Sequence, residues 1–147
     1  MRGLGWRVDL AGLNEQRPRV LVEAELKKDD PAANVIKIWS WARTQKNTKP
    51  ILFVQGFSKL YVKRKKRLRD RANFVGERMA EAGLRINYQS TEIKYRNKNG
   101  VWVHYNPKTA PGFSAKEGAG CLRQAAQGLA HKVARMVRQQ RGTAKSK

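Results

Sequence analysis

The stretch RVLVEAELKK, residues 19–28, constrains this chain more than any other. Successive side chains of a strand point to opposite faces. Val20, Val22, Ala24 and Leu26 then form one wholly apolar face, and Leu21, Glu23, Glu25 and Lys27 form the other. The second face carries two carboxylates and an ammonium, about 6.5–7 Å between successive members. A surface salt bridge does not need the middle of a hydrophobic run. Carboxylates are also scarce: 11 Asp and Glu stand against 32 Lys and Arg, for a net charge of +21.

A second strand-like run, GWRVDLAGL, precedes this one, with NEQRP between them. Five polar or turn-prone residues suit a hairpin. Closure near residue 16 puts Asp9, flanked by Val8 and Leu10, opposite or diagonal to Glu23. Two carboxylates about 6 Å apart repel by roughly 3 kcal/mol at an effective dielectric near 20. A divalent cation offsets that repulsion, and hard oxygen ligands suit Mg²⁺.

Further along, DDPAANVIKIWSWART opens with a helix signal, Asp30 as cap and Pro31 in the first turn, and Val35, Ile38, Trp39 and Ala42 give it an apolar face. KPILFVQGF reads as a short buried strand. From Lys63 to Ala82 the spacing predicts a basic helix with Leu68, Ala72, Val75 and Met79 on one face, and Gly83 at its C-terminal cap. LRINYQ alternates as a strand, Asn99-Gly100 marks a hairpin, and residues 120–140 read as an amphipathic helix. The order is β-β-α-β-α-β, then a hairpin and a closing helix: an α/β domain with a mixed sheet. One domain over residues 1–141 and a polar tail at 142–147 are expected.

The charge excess makes a phosphate backbone the leading partner. Two basic stripes are candidates for contacting it: Lys63, Arg64, Lys65, Lys66, Arg67, Arg69 and Arg71 on one helix, and Lys132, Arg135 and Arg138 on the last. The sequence has no run of about 18 apolar residues, so a membrane span is not expected, and no signal peptide is read at its start. The single Cys121 excludes an intrachain disulfide and a cysteine-rich zinc site. A reducing setting, cytoplasmic or nucleoid-associated, is the expectation. His104 and His131 lie too far apart in sequence to suggest a histidine metal site. Trp102 shares a strand face with His104, and its role is open between packing and base contact.

An Asp on one strand, then Glu-x-Glu or Glu-x-Lys on its hairpin partner, followed by a helix and a strand, resembles the PD-(D/E)XK nuclease superfamily. The likeness covers roughly residues 6 to 90. It implies a restriction-endonuclease-like three-layer core, a central mixed sheet flanked by helices, here followed by a C-terminal hairpin and helix. It also implies Mg²⁺, with Mn²⁺ as a substitute, bound by Asp9, Glu23 and Glu25, and hydrolysis of DNA phosphodiester bonds, with a homodimer for two-strand cutting. Two registers stay open. ELK makes Glu25 and Lys27 the pair; EAE makes Glu23 the ligand and puts Glu25 in the lysine's place. Lys37 is a further candidate, since in some members the lysine lies on the neighbouring helix. The family core usually carries a helix and a strand ahead of the Asp strand, where eight residues stand here; three explanations stay open, a fragment of a longer chain, an element supplied by a second subunit, or a core built differently. The competing class is a non-catalytic nucleic-acid-binding protein on an α/β scaffold. The basic stripes serve both classes, and only the acidic cluster separates them. A peripheral membrane protein fits less well, because the basic helices lack a large insertion face.

Overall fold

The structure, a computed structural model, describes residues 9–14, 17–26, 30–44, 49–97, 99–106 and 117–143. Lys27 and residues 144–147 of the expected tail lie outside these. The strands are β1 (Leu10–Asn14), β2 (Arg17–Glu25), β3 (Ile51–Phe57), β4 (Ile86–Glu92), β5 (Lys94–Arg96) and β6 (Trp102–His104), and the helices α1 (Pro31–Thr44), α2 (Lys66–Glu81) and α3 (Glu117–Thr143). Among the described residues the expected order of elements is the observed one, but α3 extends three residues beyond the expected 120–140 at each end and takes in residues 142 and 143 of the expected tail.

The four-stranded sheet runs β1-β2-β3-β4. β1 is antiparallel to β2, while β2, β3 and β4 are mutually parallel. β3 has parallel neighbours on both sides and is buried along its whole length, which is why it reads as a nearly unbroken apolar run. Two successive crossovers in one direction bring α1 and α2 to the same face. There Leu21, Phe53 and Ile86 meet Val35, Ile38, Ala72 and Met79. On the opposite face Val22, Leu52 and Val54 are covered by Val133, with Leu129, Met136 and Val137 alongside. The result is three layers, with the sheet between α1/α2 and α3.

Local chemistry sets the element ends. The Asp30 carboxylate accepts the Ala32 amide at 3.1 Å, the expected cap of α1. Arg71 of α2 pairs with the same carboxylate and holds it below the usual carboxylate range. Gly83, just beyond α2, takes φ +73°, the left-handed conformation that ends helices. The start of the basic helix differs from the sequence expectation. Leu60–Arg64 form a π-type turn, and α2 begins at Lys66. Burial explains the break: Tyr61 is fully enclosed with its ring 5.8 Å from Phe57, and its amide is tied to the Ser58 carbonyl.

β5 and β6 form a separate hairpin beyond β4. The Asn97 side chain accepts the amides of Asn99 and Val101 and organises the turn. The hairpin is rooted by Ile93, Tyr105 and Ala125, with Tyr95 and Leu129 beside them. Gly128 of α3 allows this packing, since a Cβ there would sit 2.9 Å from the Lys94 carbonyl oxygen.

Candidate active site

The β1–β2 register pairs Leu10 with Val22, so one further step sets Asp9 opposite Glu23. Asp9 lies just ahead of β1 rather than within it, where its Oδ2 accepts the Ala24 amide at 2.7 Å. That bond ties the carboxylate to β2 between the two glutamates. Glu23 and Glu25 are only 8% and 4% exposed, on the face covered by α1 and α2. They are therefore not a solvated strand face. Burial pushes the Glu23 carboxyl up to about 8; the charges of Asp9 and Glu25 add to the rise and Lys37 opposes it. Lys37 is exposed on α1, its Nζ 3.4 Å from Asn34 Oδ1. The structure thus gathers Asp9, Glu23, Glu25 and Lys37.

Glu25 is held by groups the sequence reading did not single out. Its Oε1 accepts Gln55 Nε2 at 2.6 Å and Asn34 Nδ2 at 2.9 Å. Gln55, fully buried in β3, also donates Nε2 to the Pro31 carbonyl at 2.8 Å. With both donors engaged, its Oε1 needs a donor in turn, and the Tyr88 hydroxyl supplies one at 3.0 Å. The same hydroxyl lies 2.9 Å from Asn73 Oδ1, so its one hydrogen serves two acceptors. A hydrogen-bonded network of Asn73, Tyr88, Gln55 and Glu25 therefore runs from α2 through β4 and β3 to β2. It is made possible by Gly76, whose missing side chain leaves room for the Tyr88 ring. A visible signal existed: Gln55 is the one polar side chain in ILFVQGF, an otherwise apolar strand.

The basic stripes divide by environment. Lys63, Arg64 and Arg67 are exposed, and so are Arg135 and Arg138. Lys65 stands 5.7 Å over the Tyr61 ring. Lys66 pairs with Asp70 at 2.5 Å, and Arg71 with Asp30. Arg69 is turned towards Glu92, at 3.6 Å. Lys132 is half-buried and donates to Thr91 Oγ1 and the Glu92 carbonyl, so it braces the sheet rather than projecting from α3. Glu92 also binds Lys94 at 2.8 Å and His104 at 2.9 Å, and these partners hold its carboxyl down to about 2.

Among the described residues, no group of three or more His, Cys, Asp or Glu side chains is arranged to hold a metal ion. The donor chemistry nevertheless suits Mg²⁺, which takes one or two carboxylates and completes its shell with water and substrate phosphate. Asp9 and Glu23 face each other across the β1–β2 pair and are the residues that could supply those carboxylates. Among the described residues no helix is long and apolar enough to cross a membrane. Comparison of the chain with protein-family models, curated proteins and solved structures finds no match.

Proposed function

We propose that this chain is a Mg²⁺-dependent DNA endonuclease of PD-(D/E)XK type, built on a restriction-endonuclease-like core. One observation carries the reading. A chain of charge +21 buries Glu23 and Glu25 side by side, opposite Asp9 and on a single sheet face. A protein that only binds a polyanion gains nothing from carboxylates that repel phosphate. Hydrolysis requires them.

Asp9 and Glu23 would hold the ion, with Glu25 as the neighbouring acidic group. When bound, Mg²⁺ polarises the scissile phosphate and lowers the pKa of a coordinated water. Glu25 is oriented by Asn34 and Gln55, which suits a group that must keep one geometry through a proton transfer. Lys37, exposed beside Asn34, offsets phosphate charge at the mouth of the site. Lys63, Arg64 and Arg67 supply backbone contacts that fix the strand and carry the salt dependence of binding.

The test is cleavage of supercoiled plasmid and of branched DNA, with Mg²⁺, with Mn²⁺ and with chelator, beside an Asp9→Ala/Glu25→Ala double variant. Metal-dependent nicking that disappears in the variant is the expected result. Absence of cutting by either protein, with equal salt-sensitive binding, would replace the nuclease with a non-catalytic binding protein.

A further inference from the structure

The β5–β6 hairpin presents an exposed aromatic side chain in a basic setting. Its register pairs Lys94 with His104 and Arg96 with Trp102, so these four side chains share one side. The opposite side, with Tyr95, belongs to the buried root. Trp102 is 55% exposed although it is the largest side chain on the hairpin. Its Cζ3 edge lies 3.8 Å from where a Cβ on Gly128 would stand, so one rim of the indole is set against α3. The Arg96 guanidinium sits 5.2 Å from the ring centroid. Val101, next to the Asn99-Gly100 turn, is exposed as well.

The position of this face relative to the carboxylates follows from backbone bonds. The Ser58 amide donates to the Glu25 carbonyl, Ile93 to Phe57, Tyr105 to Ile93, and Lys59 to Tyr105. The hairpin therefore grows from the end of the sheet at which β2 presents Glu25. Two strand spacings separate Glu25 from the root, about 10 Å.

We infer that Trp102 and Arg96 form a stacking site for an unpaired base, so that the chain engages DNA with single-stranded or branched segments. This rests on the nuclease reading for its biological use but not for its binding chemistry. An aromatic face is open to a base only where that base has left the duplex stack, whereas the exposed lysines and arginines hold any phosphate backbone alike. Arg96 supplies a cation at the ring itself, while Lys94 and His104 beside it are paired with Glu92.

The experiment is fluorescence anisotropy in chelator at fixed salt. The full chain is titrated against a labelled fork with unpaired arms and a blunt duplex of equal length. Wild type is expected to prefer the fork. Trp102→Ala is expected to weaken fork binding on the order of tenfold and leave the duplex unchanged. Trp102→Phe, which keeps a ring and the fold, is expected to restore most of the loss. Equal weakening on both DNAs, or a fork preference that survives Trp102→Ala, would overturn the inference. Because chelator removes any cutting, loss of the nuclease reading in the plasmid assay leaves this result standing, and the reverse also holds.

Discussion

Gly76→Ala separates two opposing effects on one residue. In a free helix the change favours folding by roughly 1 kcal/mol, since glycine is the poorer helix former. Here the added Cβ would fall 2.5 Å from Cγ, Cδ1 and Cε1 of Tyr88. Carbon atoms settle at about 3.5–4.0 Å, so the ring must retreat by roughly 1 Å or more. Its hydroxyl stands 3.0 Å from Gln55 Oε1, and a retreat of that size breaks the bond. Overpacking costs about 1–3 kcal/mol and the orphaned buried acceptor about 1–3 more. Against the helix gain, the net loss is about 3 kcal/mol, or roughly 6–12 °C in Tm for a domain of this size. Denaturant unfolding of Gly76→Ala, Tyr88→Phe and the double variant reads the terms apart. The double variant is expected to lose less than the sum, because both single changes orphan the same Gln55 oxygen. A Gly76→Ala protein more stable than wild type would refute the packing of Tyr88 on α2 and the hydrogen-bonded network that depends on it.

Glu23 sets a pH dependence. Its folded pKa, about 8, lies above the ordinary 4.5, so the native state keeps a proton that the unfolded state has released between those values. Stability of the metal-free protein therefore falls as pH rises through that window and levels off above about 8; Glu23→Gln is expected to abolish the fall in thermal midpoints taken from pH 5 to 9, and a flat wild-type profile would refute the burial of a coupled carboxylate. Gly128→Ala sets a Cβ 2.9 Å from the Lys94 carbonyl, a backbone atom with little freedom, and is expected to cost about 1–3 kcal/mol and to disturb the near-ultraviolet signal of Trp102; a rise in Tm would contradict the hairpin's seat on α3.

Much of the architecture was legible because its signals are local. Alternation identified β2, the Asp30-Pro31 pair placed the start of α1, and Gly83 the end of α2. The misplaced start of the basic helix, Lys63 against Lys66, traces to Tyr61, whose burial is decided by Phe57 and the sheet end rather than by its neighbours in sequence. The Asp9–Glu23 juxtaposition followed from hairpin geometry. The Glu25 network did not, since Gln55, Tyr88 and Asn73 are brought together by two parallel crossovers that no short-range pattern encodes. Lys132 was misread for a related reason: its helical spacing fits an exposed stripe, but the partners that draw it inward, Thr91 and Glu92, belong to β4.

Since β2 is paired on both sides, a single-residue insertion or deletion within it exchanges its two faces. Glu23 and Glu25 would then be driven into the apolar seam beneath α3, and Val22 and Ala24 would stand where Asp9 and Gln55 expect carboxylates. Even a conservative change in strand length therefore erases core and chemistry together, while many substitutions at Val20, Val22 or Ala24 need only preserve volume. Divergent relatives of this chain are accordingly expected to vary freely in residue identity along β2 and in the lengths of the segments that flank it, but to hold constant the two-residue interval between the glutamates.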